Sequence, residues 1–139
     1  MTRINVVPVE CLSNKHLLAE YKEITRPFNK VKKHLEAGRK PSNLRIPAQY
    51  CLGTGHETFF FDKLEWLVKR YEDLYNELCT RKFKMDFDKF HEVHGDFICT
   101  FYTTAWWGDY TPTPKDMYLN MARLVKRSNM SNVLDELAS

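Results

Sequence analysis

The residues that suggest chemistry stand at the start of the chain, where Thr2 follows the initiator methionine. A small residue such as threonine at this position permits removal of the methionine, which would leave the Thr2 α-amine free. The pKa of an α-amine is about 7.7–8.0 against about 10.4 for lysine, so a useful fraction of the amine is neutral near pH 7. A neutral amine of this kind can form a Schiff base with a carbonyl carbon. The alternative interpretation is that Thr2 is an N-terminal residue without a chemical role.

Glu23 is the second candidate, because it is a single carboxylate at the edge of a basic helical face. Apolar residues recur at alternating steps of four and three along residues 17–35, which is the pattern of an amphipathic helix. Glu23 falls on the border between the apolar and the basic side of that helix, beside Arg26 at i+3. We therefore predict that Glu23 is a functional acidic group at a surface rich in cations.

Positive charge is concentrated in one part of the chain. The formal net charge of +3 is too small to indicate a nucleic-acid partner by itself, but residues 22–45 contain eight Lys or Arg against two Glu. This local density suits a polyanion such as nucleic acid. A solvated helix face explains the same charges equally well.

The spacing of potential ligands indicates neither a metal site nor a phosphate-binding loop. The nearest group of metal ligands, His91, His94 and Cys99, lacks the H-E-x-x-H pattern and is better explained by structural or surface roles. Gly53 and Gly55 form no Walker motif, so we expect them to supply positive φ and close approach of the backbone. No Cys-x-x-Cys pair is present, and we expect the cysteines to be reduced and mostly buried. The four cysteines are Cys11, Cys51, Cys79 and Cys99.

Length and composition predict one globular domain over residues 1–139. The chain is 43% apolar and 28% charged, with few Gly and Pro, and it is long enough to bury a real core. No apolar run approaches the ~20 residues that span a bilayer, and the start has no secretory n-region and h-region. We therefore expect a cytoplasmic protein without a signal peptide or transmembrane segment.

The elements that would position these residues are helices. We predict a first helix from an N-cap at Ser13 to about Ala37, with a kink at Glu23 because Pro27 cannot bond to the Glu23 carbonyl. A second helix is predicted from about Phe60 to Lys82, and residues 38–58 form a loop. A third begins at Thr113 as N-cap, with Pro114 in its first position and Asp116 in its first turn. Inward-facing residues of this helix are predicted to be Met117, Met121 and Leu124.

The resulting fold is all-α, a single compact domain of three main helices. Residues 1–11 are predicted to be an extended segment lying over the core, and residues 83–108 are left unassigned. Within that unassigned stretch, Trp106 and Trp107 have two interpretations. They are either packed on the core, as tryptophans usually are, or exposed as stacking surfaces for bases. The core interpretation is the stronger of the two.

Several sequence motifs resemble one known family. They are M-T-R-I-N at residues 1–5, H-L-x-A-E-Y-x-E-x-x-R at 16–26, K-H at 33–34, and L-G-x-G-H-x-T-F-F-x-D-K-L-E at 52–65. G-D-Y-T-P at 108–112 and A-R-L at 122–124 continue the likeness. In these motifs the chain resembles the phage-type endonuclease V, a pyrimidine-dimer DNA glycosylase with abasic-site lyase activity. The chain departs from the family's pattern at Lys22, where arginine is typical, and in carrying its helical proline at Pro27 in place of position 25.

The resemblance implies roles for particular residues. Thr2 would supply the amine that attacks the sugar of the 5′ nucleotide of a cyclobutane dimer, followed by β-elimination. Glu23 would stabilise the oxocarbenium-like charge at the sugar and help to remove a proton. The residues implied in DNA binding are Arg3, Lys22, Arg26, Lys33, Arg123 and Arg127. Possible supporting residues are His16, His34 and His56.

The implied partner is double-stranded DNA that contains pyrimidine dimers, and neither a metal nor another cofactor is implied. We expect the protein to act as a monomer in the cytoplasm, which would be that of the host if the chain is viral. Two alternatives remain open. One is a lyase or glycosylase of broader damaged-base range, and the other is a basic DNA-binding module without catalytic activity.

Overall fold

A computed structural model describes residues 2–125 of the chain, and within them all regular structure is helical. The α-helices are α1 (Asn14–Glu23), α2 (Thr25–Glu36), α3 (His56–Phe59), α4 (Leu64–Thr80) and α5 (Phe87–Phe101), with 3-10 helices at Val9–Cys11 and Pro41–Asn43. Residues 114–125 are also helical up to the end of the described part, and we call this segment α6. The predicted all-α class is confirmed, with more helices than the three expected.

The first predicted helix is two helices that meet next to Glu23. Ser13 caps α1, since its side chain accepts a hydrogen bond from the His16 N–H at 3.2 Å. Helix α1 ends at Glu23, and α2 starts after the single residue Ile24. Pro27 has no N–H to donate to the Glu23 carbonyl, which removes one of the bonds that would continue α1 into α2. The interruption predicted at Glu23 is therefore present.

The N-terminal segment, residues 2–8, has no helix or strand and is part of the core. Its apolar side chains Ile4, Val6 and Val7 are almost completely buried. Burial of three such side chains removes a large apolar area from water, which stabilises the fold. An extended segment over the core was predicted for residues 1–11, but Val9–Cys11 form a 3-10 helix. The part before it lies among the helices and not merely over them.

Two elements differ from their predictions in the middle of the chain. Phe60 was expected to begin the second helix, but it follows the short α3, and α4 begins only at Leu64. The unassigned residues 83–108 contain α5, which Asp86 caps by accepting from the Lys89 N–H at 3.1 Å. Helix α5 packs on α2 through Phe97, whose ring stacks on Phe28 at a centroid distance of 4.0 Å.

Helix α6 begins as predicted. The Asp116 N–H donates to Thr113 Oγ1 at 3.1 Å, and the Thr113 N–H donates to Asp116 Oδ2 at 3.1 Å, a reciprocal cap. Leu124 is buried, but Met121 is 37% exposed, so its predicted inward position is wrong. The fully buried residue of this stretch is the polar Asn120, which occupies the inward position because its amide finds partners there.

The structure separates the two adjacent tryptophans. Trp106 is 1% exposed and stacks on His34 at a centroid distance of 5.9 Å, so the core interpretation is confirmed for it. Trp107 is half-buried. After it, Gly108 lies so close to the Asp62 carbonyl that an added Cβ would be 2.3 Å from that oxygen. Only glycine permits this contact between the start of α4 and the chain that leads to α6.

The expectation of mostly buried cysteines is wrong. All four cysteines are free, and Cys11, Cys79 and Cys99 are exposed. The inward positions of their helices are taken by other side chains, such as the fully buried Leu78 beside Cys79. Separately, within residues 2–125 no helix has both the length and the apolar character needed to cross a membrane.

Candidate active site

Thr2 and Glu23 come together through the peptide group of Arg3. The Arg3 N–H donates to Glu23 Oε1 at 3.0 Å, which places the carboxylate against the residue that follows Thr2. Thr2 itself is 7% exposed. Glu23 is the last residue of α1, so the helix break leaves its side chain directed at the N-terminal segment. The structure thus brings together two residues that are far apart in the sequence.

Arg26 completes this group from the first turn of α2. Its guanidinium Nη1 lies 3.7 Å from Glu23 Oε1, with the Arg26 side chain 50% and the Glu23 side chain 17% exposed. An ion pair as open as this contributes little to stability. The carboxylate therefore has one firm partner, the Arg3 N–H, and one loosely held cation.

His56 holds the next peptide group of the segment. The Ile4 N–H donates to His56 Nε2 at 2.9 Å, while His56 Nδ1 lies 2.8 Å from the Cys51 carbonyl oxygen. A carbonyl can only accept, so Nδ1 carries the proton and Nε2 is the acceptor, which is the neutral ring. Burial lowers the pKa of His56, and the positive charge of Arg123 lowers it further, against the opposing effect of the Cys51 hydrogen bond. His56 is therefore a fixed acceptor for the chain start.

Asn120 binds the backbone N–H groups of Val6 and Val7. Its Oδ1 accepts from the Val6 N–H at 2.7 Å and from the Val7 N–H at 3.2 Å. Its Nδ2 donates to Asn5 Oδ1 at 2.7 Å, and Arg123 Nη2 donates to the same oxygen at 2.7 Å. Because buried peptide groups must find partners, these side-chain bonds replace the ladder that a strand would provide.

A buried ion pair between Arg70 and Glu20 also holds the N-terminal segment. Arg70 Nε donates to Glu20 Oε2 at 2.8 Å and Arg70 Nη2 donates to Glu20 Oε1 at 3.0 Å, a two-bond pair. Arg70 Nη1 also donates to the Val7 carbonyl at 2.6 Å, and Asn5 Nδ2 donates to Glu20 Oε1 at 2.9 Å. The N-terminal segment is consequently fixed from α1, α3, α4 and α6.

Sequence reasoning missed most of this network. Glu20 offered one signal, since it lies on the apolar face of α1 between Leu17 and Ile24, where a charge needs a buried partner. Nothing in the sequence identified Arg70 as that partner. The role of Asn120 had no signal at all, because its bonds reach residues more than 110 positions away.

A cavity of about 720 Å³ opens beside Thr2, and we call it the Thr2 cavity. Gly53 and Gly55 form part of its wall with φ of 73° and 89°, which confirms the positive φ expected for them. The other residues around it are mainly cationic or polar. The lining comprises Thr2, Arg3, Arg26, Lys30, Leu52, Gly53, Gly55, His56, Glu57, Thr58, Phe61 and Arg123.

A smaller cavity of about 40 Å³ lies behind the Arg3 and Glu23 contact. His16 lines it together with Glu20, Glu23 and Arg123. Burial lowers the pKa of His16, and the charges of Lys15, Arg123 and Arg3 lower it further. The ring is therefore held neutral close to the Glu23 carboxylate at ordinary pH.

The remaining predicted site residues lie elsewhere. Lys22 lines a separate cavity of about 630 Å³, which we call the aromatic cleft. Lys33 is exposed on α2 and lines neither cavity. His34 stacks on Trp106 and contacts Arg39 through Nδ1 at 3.1 Å, which is a packing role. Arg127 lies outside the described residues.

Helix α2 separates the two cavities. Arg26 and Lys30 face the Thr2 cavity, whereas Asn29 and Lys32 face the aromatic cleft. At about 100° per residue, Lys33 falls on the exposed ridge between these two flanks. The predicted cations of α1 and α2 thus lie in the wall of the Thr2 cavity, in the wall of the aromatic cleft and on the ridge between them.

Among residues 2–125, no group of three or more His, Cys, Asp or Glu side chains is arranged to hold a metal ion. His91 and His94 belong instead to α5, where His94 Nε2 lies 3.7 Å from Glu72 Oε2. The residues that the structure brings together at the candidate site are thus Thr2, one carboxylate and several cations.

The sequence of the chain matches a known protein family. Residues 1–91 match the model of a family described as pyrimidine dimer DNA glycosylase. The match extends over more than half of the chain and includes Thr2, Arg3, Glu23, Arg26 and His56. On this basis the chain belongs to the pyrimidine dimer DNA glycosylase family.

Proposed function

We propose that this member of the family both removes the damaged base and cuts the strand, using the Thr2 α-amine as nucleophile. Family membership implies a DNA substrate that contains pyrimidine dimers. The single observation that supports the finer mechanism is the 3.0 Å bond from the Arg3 N–H to Glu23 Oε1. It holds an acidic group beside the residue whose amine would react.

In the proposed reaction, the lone pair of the Thr2 amine attacks C1′ of the 5′ nucleotide of the dimer. The glycosidic bond breaks, and the 5′ base takes the bonding electrons and a proton but stays joined to the 3′ base through the cyclobutane ring. Loss of a proton from the amine and opening of the sugar give a protonated imine. Removal of a C2′ proton then expels the 3′ phosphate by β-elimination, and water hydrolyses the imine to release Thr2.

Glu23 has two tasks in this scheme. Its negative charge stabilises the oxocarbenium-like state at C1′, because a fixed carboxylate costs no reorganisation when the charge develops. Its second oxygen is free of the Arg3 bond and serves in proton transfer. His16 lines the same small cavity as Glu23, and burial and neighbouring cations lower the pKa of its ring.

The cations around the Thr2 cavity serve as phosphate contacts in this proposal. Arg3, Arg26 and Arg123 line the cavity itself, and Lys22 and Lys33 extend the positive surface over α1 and the ridge of α2. Duplex DNA bound over this ridge would have its backbone neutralised on both flanks. Binding should then weaken steeply with salt, with a slope of about −0.9 per phosphate contact.

Borohydride trapping tests the proposal with three duplexes, which carry a cyclobutane dimer, an abasic site or no lesion. We expect covalent adducts with the first two, attached at Thr2 when the digested product is sequenced by mass spectrometry. An adduct with abasic DNA alone would favour the broader lyase, and no adduct with either would favour a DNA-binding module. A chain that retains its initiator methionine is the matched control, since its Thr2 nitrogen is an amide. Monomeric action and a cytoplasmic location stay predictions.

A further inference from the structure

One side chain outside the family match forms hydrogen bonds with three consecutive residues of the N-terminal segment. Asn120 is 0% exposed, and it bonds to the Val6 N–H, the Val7 N–H and Asn5 Oδ1. It lies on α6, whereas the family match covers residues 1–91. The part of the chain that carries the reacting groups is therefore held by a residue from a part that the match does not include.

The orientation of the Asn120 amide is settled by its partners. Two backbone N–H groups can only donate, so the oxygen has to face Val6 and Val7. The Asn120 nitrogen then faces Asn5 Oδ1, which agrees with Asn5 Nδ2 donating to Glu20. The bonds thus run in one direction from Asn120 through Asn5 to the Glu20 carboxylate, and no donor faces another donor.

We propose that Asn120 is a positioning residue for the Thr2 amine, and this rests on the proposed function. With residues 5–7 held by Asn120, residues 3 and 4 meet Glu23 and His56, and the direction in which Thr2 enters the cavity is set. Asn120 lines neither the Thr2 cavity nor the small cavity behind it. It acts on the reaction only through the backbone that leads to the nucleophile.

Two substitutions grade the effect. Asn120→Leu keeps the approximate size but leaves the Val6 and Val7 N–H groups unpaired, and Asn120→Asp keeps their acceptor while losing the donor to Asn5. Misplacing a reacting group by about 1 Å can cost roughly 10²-fold in rate, so we expect a loss of this order for Asn120→Leu. Asn120→Asp should lose less, because the Val6 and Val7 N–H groups keep their acceptor.

The measurement is the single-turnover rate of imine trapping on abasic DNA at saturating protein, together with the dissociation constant. We expect the rate to fall while the dissociation constant stays unchanged. Tyr118→Ala, at a position of α6 that is 73% exposed, should leave the rate unaffected. Leu78→Ala removes a buried side chain of α4 and serves as a variant of reduced stability with an intact segment.

The outcomes separate the two proposals. If the wild-type chain traps abasic DNA and both Asn120 variants trap it equally fast, the positioning role is overturned while the imine chemistry of the proposed function stands. If Leu78→Ala slows trapping as much as the Asn120 variants at equal thermal stability, general destabilisation is the cause and the positioning role is again overturned. If the wild-type chain traps nothing, the proposed function fails and the role of Asn120 in it fails as well. Amide exchange of Val6 and Val7 is expected to quicken in Asn120→Leu.

Discussion

The two flanks of α2 carry cavities of similar volume that are built in different ways. The Thr2 cavity has a backbone wall fixed by side-chain hydrogen bonds, with Glu23, His56 and Asn120 as the acceptors. The aromatic cleft has walls fixed by ring contacts, with Phe28 on Phe97 at 4.0 Å and Tyr21 on Tyr71 at 5.3 Å between centroids. Directional hydrogen bonds position the wall of the Thr2 cavity, whereas the walls of the aromatic cleft are held by the contact area between rings.

The difference follows from what each flank has to hold. A hydrogen bond has a preferred length and angle, so a network of them fixes a segment to one conformation, provided that every group is satisfied. Ring contacts are individually weak and tolerate shifts, so they stabilise the fold without fixing any one atom as tightly. The nucleophile that we propose, the Thr2 amine, would have to be placed to a fraction of an ångström, and a hydrogen-bonded wall suits this need.

Arg70→Met is expected to have the largest effect on the hydrogen-bonded flank. It leaves the Glu20 carboxylate buried without its two-bond partner, which should lower the free energy of unfolding by about 3–5 kcal/mol. Urea unfolding measures this loss. The double variant Glu20→Gln/Arg70→Met removes both charges and should recover much of the stability. The loss in Arg70→Met could instead be as small as that of an exposed ion pair. The hydrogen-bond network would then not hold this flank, and the proposed difference between the two flanks would be wrong.

Glu23→Gln separates the position of the acidic group from its charge. The glutamine oxygen can still accept from the Arg3 N–H, so the segment should stay in place while the negative charge is lost. Loss of one electrostatic stabiliser costs about 10²–10³-fold, and we expect glycosylase turnover to fall by this much with DNA binding retained. Single-turnover formation of the abasic site at the dimer, detected as an alkali-labile break, and a binding titration measure the two effects. Full activity in this variant would remove Glu23 from the mechanism.

The pH dependence of stability should report His56. Since its pKa is lowered in the folded state, the unfolded chain binds more protons between that value and the unperturbed value of about 6.5. Stability is therefore complete above this window and falls as the pH drops through it, by at most about 1.4 kcal/mol per pH unit for one histidine. The free energy of unfolding of His56→Gln, measured between pH 5 and 7, should lack this decrease at low pH.

His16→Gln is the matched control for that experiment, because the pKa of His16 is also lowered but its ring is only partly buried. A pH response that persists in His56→Gln and disappears in His16→Gln would assign the titration to the wrong ring. In that case the bond from the Ile4 N–H to His56 Nε2 would not be what holds His56 neutral in solution.

Phe97→Leu examines the other flank and should have the smallest effect. It removes the stack on Phe28 while keeping an apolar side chain, at a cost of about 1 kcal/mol. The trapping rate at saturating DNA should be unchanged, because the aromatic cleft does not position Thr2. Thermal unfolding and the same trapping measurement check both statements. A fall in rate without a fall in stability would show that the two flanks act together.

The sequence was most informative where the signal is local. Thr113, Pro114 and Asp116 predicted the start of α6 because a helix cap depends on residues within one turn. Pro27 predicted the break beside Glu23 for the same reason. Helix α5 was missed because Gly95 and the closely spaced aromatic residues of the stretch obscure its periodicity.

The site was predictable only in part. Proximity of Thr2 and Glu23 came from the resemblance of the motifs, and not from any property of the two residues. The supporting bonds from Arg70 and Asn120 join segments that are remote in sequence, and a polar side chain does not indicate which distant group it will meet. Buried polar partners of this kind are determined by packing of the whole chain.

The large sequence separation between Asn120 and its partners determines when the start of the chain can dock during synthesis. Its partners Val6 and Val7 emerge from the ribosome more than 110 residues earlier, which corresponds to roughly 6–20 s at about 5–20 residues per second. During this interval the start of the chain has no docking partner on α6, so an aminopeptidase can reach the first peptide bond. Once α6 docks, the bonds from Asn120 hold residues 5–7, and the start of the chain is no longer a free end. We therefore expect the amine to be generated before the site that uses it is complete.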